Sequence, residues 1–136
     1  MVYQKEIRLP QFKRGFHLIS DIILRELDFI PDTGILNIFI QHTSAALTIN
    51  ENADPDVRVD FETFISKLIP ENNSLYTHIL EGFDDMPAHI KSSLFGPSIS
   101  IPITGKRLNL GLWQGIYLCE FRNDGGRRNI VLTIVY

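Results

Sequence analysis

The feature that most constrains the fold is a series of four apolar segments, separated by short gaps, in the last third of the chain. The gaps are TGK, WQ and RNDGGRR, and the segments are SISIPI (98–103), RLNLGL (107–112), GIYLCEF (115–121) and NIVLTIVY (129–136). Short apolar segments rich in β-branched side chains favour strands, and gaps of turn length join antiparallel neighbours. We therefore predict that this part of the chain folds as sequential hairpins of an antiparallel sheet.

Four more strands are predicted in the first third of the chain. Residues 3–9 alternate with a period of two, which is typical of a half-buried strand, and residues 16–19 are predicted to be their hairpin partner. Residues 35–41 and 46–50 are rich in β-branched and aromatic side chains, and we predict that they form a strand pair. The motif HTSA lies between these two strands, which places His42 at the end of a strand.

Two helices are predicted before residue 70, because apolar side chains recur there every three or four residues. The first covers residues 21–30 and follows Ser20, which can act as its N-cap. The second begins at Asp54 or Asp56 and ends before Pro70. Its apolar face consists of Val57, Phe61, Phe64, Ile65, Leu68 and Ile69.

A third helix is predicted to begin near Met86. Asp84 or Asp85 can cap its free amides, and Pro87 is tolerated because the first turn does not use its missing N–H. His89 then lies near the helix N-terminus, where the helix dipole disfavours an imidazolium ion. We expect a neutral imidazole at this position, able to bind a metal or to act as a base.

Together these elements predict an α+β fold: a β-sandwich of seven or eight strands in two packed sheets, with two or three helices on the outside. The chain has 136 residues and neither a repeat nor a linker, which indicates a single domain over residues 1–136. An apolar share of 44% is typical of globular proteins, and no segment approaches the ~20 apolar residues that span a bilayer.

Charge and cysteine content indicate where such a protein works. The first residues carry charges where a secretory signal has an apolar run, and Cys119 is the only cysteine, so we predict a cytoplasmic location. A net charge of −3 gives no broad attraction to nucleic acid. We expect neither a nucleic acid nor a membrane as a partner.

Three of the four histidines are candidate site residues. His42, His78 and His89 come from separate segments, and they could converge on an open site in which zinc polarises water or a phosphate oxygen. Their spacing does not require this arrangement. Hydrogen-bonded histidines in phosphate or acid/base roles, and unrelated structural histidines, are the alternatives that the residues leave open.

Other polar residues have a functional and a structural interpretation. Glu120 lies in an apolar strand, where a carboxylate must find a partner or line a pocket, and we favour the pocket. Thr43 and Ser44 can donate hydrogen bonds to a phosphate or within the fold. Arg127 can hold a phosphate or lie at a solvated hairpin tip, and the tip is the simpler interpretation. Cys119 is interpreted as a core residue.

Four long motifs carry a resemblance to a known family. They are QHTSAALTINENADPDVRVD (41–60), THILEGFDDMPAHIKSSLFG (77–96), IPITGKRLNLGLWQGIYLCEFR (101–122) and GGRRNIVLTI (125–134). With these motifs the chain resembles the YjbQ-like family, also called the secondary thiamine-phosphate synthase family. The resemblance covers nearly the whole chain.

The resemblance implies a small α+β fold with a β-sandwich, assembled as a homotrimer around a three-fold axis with pockets near the subunit interfaces. It also implies a shared site for His42, His78 and His89, with a divalent metal, zinc in preference to magnesium. The chain departs from the family pattern at Phe83, where proline is expected, and at Leu112, where threonine is expected. Positions that match the pattern are Asn50, Glu51, Asp54, Asp84, Asp85, His89, Gln114 and Glu120.

The activity that the family name implies is a secondary one. It joins a pyrimidine pyrophosphate to a thiazole phosphate and releases pyrophosphate. A metal on the histidines, Arg127 and the start of the third helix would stabilise the leaving group, and Trp113 would stack on the pyrimidine. The candidate catalytic residues are His42, His78, Asp85, His89 and Glu120, and the candidate substrate-binding residues are Thr43, Ser44, Asn50, Glu51, Trp113, Gln114 and Arg127.

Two hypotheses of different class follow. In the first, the protein is an enzyme acting on a phosphorylated small metabolite at a His-rich, metal-dependent site. In the second, it is a trimeric binding protein for such a metabolite and catalyses no reaction.

Overall fold

Two antiparallel sheets pack face to face in the computed structural model, which describes all 136 residues. Three helices accompany the eight strands, so the predicted α+β sandwich of seven or eight strands with two or three helices is confirmed. In chain order the elements are β1 (Val2–Arg8), β2 (Gly15–Leu18), α1 (Ser20–Glu26), β3 (Thr33–Ile40), β4 (Ala45–Glu51), α2 (Pro55–Leu68), α3 (Asp85–Phe95), β5 (Ser98–Thr104), β6 (Arg107–Leu108), β7 (Gln114–Glu120) and β8 (Asn129–Val135).

The strand order departs from the predicted sequential hairpins. The five-stranded sheet has the order β1-β8-β3-β5-β6, and the three-stranded sheet has the order β2-β7-β4. Among the last four strands only β5 and β6 pair as a sequential hairpin, because β7 crosses to the other sheet. The reason is that β7 is buried on both faces from Gly115 to Glu120, so it occupies the centre of the three-stranded sheet. We call this sheet the inner sheet, because the five-stranded sheet packs on one of its faces and α2 and α3 pack on the other.

The two earlier strand pairings were also predicted wrongly. β1 pairs with β8, and β2 pairs with β7, so the predicted hairpin between them does not form. β3 pairs with β5 and β8, whereas β4 pairs with β7. The chain therefore changes sheets at residues 9–14, returns to the five-stranded sheet through residues 19–32, and changes again at residues 41–44, where the HTSA motif begins.

Two apolar clusters fill the layers. The larger cluster of 17 buried residues lies between the sheets and includes Leu36, Ile38, Leu118 and Ile23 of α1. The smaller cluster joins the opposite face of the inner sheet to α2 and α3, and Cys119 packs within it as predicted. Burial raises the pKa of the Cys119 thiol, which keeps it protonated and unreactive.

The predicted side-chain N-caps are confirmed in one helix out of three. The carboxylate of Asp54 accepts a hydrogen bond from the Asp56 amide at 2.9 Å, so the predicted cap of α2 is confirmed. Ser20 instead accepts a hydrogen bond from the Ile116 amide at 2.9 Å and does not cap α1. Asp84 occupies the N-cap position of α3, but its side chain makes no capping bond. None of these helices is long and apolar enough to cross a membrane.

Candidate metal centre

Asp85 is the centre of the candidate site. Its side chain is 2% exposed, and its Oδ2 atom lies 2.6 Å from Nε2 of His78 and 3.1 Å from Nε2 of His89. The two imidazole rings are 5.4 Å apart between centroids. One carboxylate oxygen therefore faces two imidazole nitrogens.

The local fold explains how these three side chains meet. Asp85 and His89 are four residues apart on α3, a spacing that puts both side chains on one face of a helix. His78 returns to the same point because the chain turns at Gly82, whose φ of 109° is accessible to glycine and strained for other residues. Asp84 and Asp85 were interpreted as helix caps, and that interpretation is wrong for both carboxylates.

The tautomer of His89 follows from its other nitrogen. Nδ1 lies 3.0 Å from the carbonyl oxygen of Thr43, and since a carbonyl only accepts, Nδ1 carries the proton. The hydroxyl of Ser92 donates to the same carbonyl at 2.6 Å. Nε2 of His89 is therefore directed at Asp85, which is the orientation that second-shell carbonyls impose on metal-binding histidines.

Arg122 holds the opposite side of the carboxylate pair, and the sequence analysis missed it. Its Nη1 donates to Oδ1 of Asp85, its Nε donates to Asp84 at 3.1 Å, and its Nη2 donates to the Glu81 carbonyl at 3.0 Å. Arg122 lies 37 residues from Asp85, so no local pattern indicates the contact. The one available signal was an arginine two residues after Glu120, just beyond the end of a strand that is otherwise largely apolar.

Both aspartates are held in the charged form. Burial by itself would raise the pKa of Asp85, but the hydrogen bond from His78 and the charge of Arg122 outweigh it, and the pKa lies below its ordinary value. For Asp84, burial is outweighed by the amide of Asn123 and by Arg122, so its pKa is lowered as well. The site thus presents an ionised carboxylate to two imidazoles.

The three donors can hold a metal ion. Their ligand atoms all lie within 4.8 Å of one another. Around tetrahedral zinc, with bonds of about 2.0–2.2 Å, ligand atoms are separated by about 3.3–3.6 Å. The 3.1 Å between His89 and Asp85 nearly matches that separation, and the 2.6 Å between His78 and Asp85 would have to widen by less than about 1 Å. A structural ion network with a protonated histidine is the arrangement that these same contacts support without a metal.

His42 does not join this group. Its Nε2 accepts a hydrogen bond from the Asn129 amide at 2.8 Å, so the proton lies on Nδ1. Burial lowers the pKa of His42, and the charge of Arg128 lowers it further. His42 and His89 share the lining of a cavity of about 250 Å³, whose other members are Thr43, Ala45, Ser92, Ser93 and Pro97. The third donor beside His78 and His89 is thus Asp85, whereas the resemblance implied His42.

Glu120 has a partner and does not line a pocket. Arg128 donates to its two oxygens from Nε at 2.7 Å and from Nη2 at 2.6 Å, and the side chains are 0% and 5% exposed. Gly125 covers the pair so closely that a Cβ atom there would lie 2.5 Å from Glu120. The predicted pocket role is therefore wrong for Glu120, because Arg128 and the close approach of Gly125 fill the space around it.

Four of the predicted substrate-binding residues line one hollow, far from the histidines. Asn50, Glu51, Trp113 and Gln114, together with Ile49, surround about 420 Å³. The hollow lies at the Glu51 end of β4, and Thr43 precedes the Ala45 end, so about 20 Å of strand separates the two regions.

The remaining candidates have structural contacts. Arg127 donates to the carbonyl oxygens of Leu9 at 3.0 Å and Arg8 at 3.1 Å, which ties the chain before β8 to the end of β1. Ser44 is buried, and its carbonyl accepts a bond from Arg128 at 3.3 Å. Thr43 contributes its carbonyl to His89 and lies in the lining of the cavity beside it.

Comparison with known proteins identifies relatives along the whole chain. The family described as "UPF0047 protein YjbQ-like" matches residues 5–136. UPF0047 protein YjbQ of Salmonella typhimurium is 50% identical over 136 residues, which cover 98% of each chain. UPF0047 protein YugU of Bacillus subtilis is 44% identical over 110 residues, which cover 77% of this chain and 80% of the relative.

Solved structures agree with the fold. A YjbQ/UPF0047 family protein of Clostridium acetobutylicum superimposes with a TM-score of 0.81 and 38% identity, covering 96% of this chain and 99% of its own. A YbjQ-like protein of Sulfolobus solfataricus has a TM-score of 0.84 and 25% identity, covering 98% and 96%. These matches confirm the resemblance that the four motifs indicated.

Proposed function

The chain belongs to the YjbQ-like UPF0047 family, and we propose that it is an enzyme that acts on a phosphorylated small metabolite at a divalent-metal site. His78, Asp85 and His89 would hold the metal, with zinc preferred over magnesium because two of the three donors are imidazoles. The observation that carries the proposal is the single oxygen of Asp85 that faces Nε2 of both histidines.

A divalent metal held by His78, Asp85 and His89 would polarise a phosphoryl oxygen or lower the pKa of a water molecule. The chain's own residues prepare for this. Thr43 fixes the ring of His89, and Arg122 occupies Oδ1 of Asp85 so that Oδ2 is left for the metal. These contacts are the kind of second shell on which metal affinity depends.

Groups around the cavity beside His89 would bind the phosphate. His42 directs a neutral Nδ1–H away from the amide of Asn129, and Thr43 adds a hydroxyl residue to the same lining, whereas the hydroxyl of Ser93 donates to the carbonyl of His89 at 3.1 Å. Because His42 is held as a donor, it would bind a phosphate oxygen without taking up a proton. Arg128 adds positive charge behind His42.

The finer proposal is a secondary thiamine-phosphate synthase activity. Joining a pyrimidine pyrophosphate to a thiazole phosphate requires stabilisation of the departing pyrophosphate, which is what a cation at Asp85 supplies. Stacking of the pyrimidine on Trp113 would need a second subunit, because within one chain about 20 Å of β4 separates the two regions.

A homotrimer is a separate part of the proposal. The outer face of the five-stranded sheet carries no helix and exposes Ile35 and Phe39 at 52% and 43%. Exposed apolar side chains on one sheet face suit self-association. Light scattering after size exclusion would report a mass of three chains, and a monomer at micromolar concentration would contradict the assembly.

Histidine variants test the enzyme proposal. Protein purified without a histidine tag is expected to carry about one zinc per chain by mass spectrometry and to release pyrophosphate from the two substrates. His78→Ala and His89→Ala should lose the zinc and the turnover but keep the fold. His17→Ala is the matched control, since His17 bonds to the Lys13 carbonyl at 2.6 Å and lies outside the group. Turnover that survives both site variants would refute the proposal.

A binding protein without catalysis is the second candidate, and the hollow at Trp113 favours it. Trp113 is 62% exposed there, and Glu51 is the only titratable residue in the lining. Such a site suits stacking and hydrogen bonding more than acid/base chemistry. Ligand binding that is lost in Trp113→Ala but kept in His89→Ala, with no turnover by the unaltered protein, would favour this function.

A further inference from the structure

We infer that the cavity beside His78 binds an aromatic or other flat apolar group of the substrate, whose phosphate-bearing end lies at the metal centre. The inference deepens the proposed function and rests on it. It assigns a binding role to the segment between α2 and α3. Apart from His78, no residue that lines the cavity was a candidate site residue.

The cavity has the size and the lining of a small-ligand site. Its volume is about 360 Å³, at the lower end of the range for such sites. Four aromatic or apolar side chains line it, together with four polar residues, three of which are consecutive in the sequence. The lining residues are Asn72, Asn73, Ser74, Tyr76, His78, Ile79, Gly82, Phe83 and Met86.

The wall of the cavity is tied to the rest of the fold. The hydroxyl of Tyr76 donates to the Pro70 carbonyl at 2.8 Å, and Asn73 accepts a hydrogen bond from the Leu75 amide at 2.9 Å. Arg122 donates to the carbonyl of Glu81 at 3.0 Å. The segment nevertheless leaves Ile79 and Phe83 exposed at 63% and 68%. A ligand that covered these two side chains would gain apolar burial at a wall that is already formed.

His78 connects the cavity to the metal centre. Its ring lines the cavity, and its Nε2 lies 2.6 Å from Oδ2 of Asp85. The cavity beside His89, on the other imidazole of the group, is lined instead by hydroxyl residues such as Ser92 and Ser93. The two cavities therefore differ in their lining side chains: four aromatic or apolar side chains line the cavity at His78, whereas serine, threonine and histidine side chains predominate in the cavity at His89. A substrate with a ring at one end and a phosphate at the other matches that difference.

Two phosphate esters that differ only in the ring test this assignment. Calorimetric titration of the zinc-supplemented protein is expected to show benzyl phosphate binding about tenfold more tightly than methyl phosphate, because the ring loses apolar surface to water. Phe83→Ala and Ile79→Ala should abolish that tenfold preference and leave methyl phosphate binding unchanged. Leu80→Ala is the matched control, since Leu80 is 96% exposed in the same segment and does not line the cavity.

Three outcomes overturn the inference. The first is equal affinity for the two esters. The second is a benzyl preference that survives both cavity variants, which would place the ring elsewhere. A preference that Phe83→Ala loses together with the oligomeric mass of the unaltered protein counts in the same way, because disassembly would then explain the loss. The third is no binding of either ester. Zinc content and turnover distinguish these results from a failure of the proposed function: if both persist while the ring preference is absent, only the cavity assignment falls.

Discussion

Glu120 and Asp85 are two buried carboxylates that the fold treats in opposite ways. Glu120 is 0% exposed, and Arg128 occupies both of its oxygens. Asp85 is 2% exposed, and Arg122 occupies only Oδ1, so that Oδ2 faces His78 and His89. The same pairing of a carboxylate with an arginine thus yields a closed pair in one place and an open oxygen in the other.

The difference distinguishes a carboxylate that stabilises the fold from one that can bind a metal. The oxygens of Glu120 accept from the Arg128 guanidinium and from the Arg122 amide at 3.2 Å, and Gly125 packs against them, so no space is left for a ligand. Arg122 holds Asp85 by one oxygen, so that the carboxylate keeps its charge, its orientation and a second oxygen that faces the two imidazoles, and these are the properties of a metal ligand. Burial alone would have ranked Glu120 first, and the arrangement of partners reverses the ranking.

Breaking the closed pair should have the largest effect. Glu120→Gln leaves the guanidinium of Arg128 buried without a counter-ion, and we expect the free energy of unfolding to fall by about 3–5 kcal/mol. Urea denaturation measures the change. Asp85→Asn should destabilise less, because Arg122 is 25% exposed and also bonds to Asp84.

The paired replacement Glu120→Leu with Arg128→Met is the control for the closed pair. It removes both charges and should recover most of the stability lost in Glu120→Gln. A loss below about 1 kcal/mol in Glu120→Gln would mean that the pair is not buried in the way described.

Weakening the contact between Arg122 and Asp85 should have an intermediate effect. Arg122→Lys keeps the positive charge but cannot bond to Asp84 and Asp85 in the same fork, so Asp85 loses its fixed orientation. We expect zinc affinity to fall by about 10–100-fold. Competition with a metal indicator measures the affinity, and Arg127→Lys is a control that lies outside the site. Unchanged zinc affinity would mean that Oδ1 does not need its partner.

The smallest effect concerns the pKa of His42, to which the charges of Arg128 and Glu120 contribute. Burial lowers the pKa of His42, Arg128 lowers it further, and Glu120 offsets part of that effect. A lowered pKa means that His42 stabilises the fold above its unfolded pKa of about 6.5 and that this stabilisation is lost as the pH falls below it.

The variant His42→Gln isolates the pH-dependent contribution of His42 to stability, because the side-chain oxygen of glutamine can still accept a hydrogen bond from the Asn129 amide. In the presence of a chelator, the stability advantage of the unaltered protein over His42→Gln should shrink as the pH is lowered from about 7 to about 5. Thermal unfolding across that range measures it. An advantage that stays constant with pH would show that the fold does not lower the pKa of His42.

Local signals located the elements but not their neighbours. Asp54 caps α2 as predicted, because the capping bond closes within two residues. The predicted strands were found near their expected positions, but β7 pairs with β2 and β4, which no turn joins to it. Gaps of turn length permit a hairpin without requiring one, and the burial of β7 on both faces outweighed them.

The candidate site shows the same division. The sequence singled out His78 and His89, with His42, as metal ligands and Asp85 only as a candidate cap and catalytic residue, although helical spacing alone accounts for the contact between Asp85 and His89. It could not separate Asp85 from Glu120. The partner of Asp85, Arg122, lies 37 residues away in the chain, and the glycine that covers Glu120, Gly125, reaches it only in the folded protein.

The sequence by itself determined the α+β class, the position of α2 and the family, since these depend on periodicity, capping and motifs that can be read along the chain. Only the tertiary structure decided which strands pair, that His42 faces a backbone amide, and that Arg122 completes the metal centre. The physical reason is that hydrogen bonds and ion pairs between distant residues depend on packing in three dimensions, which leaves no periodic trace in the chain.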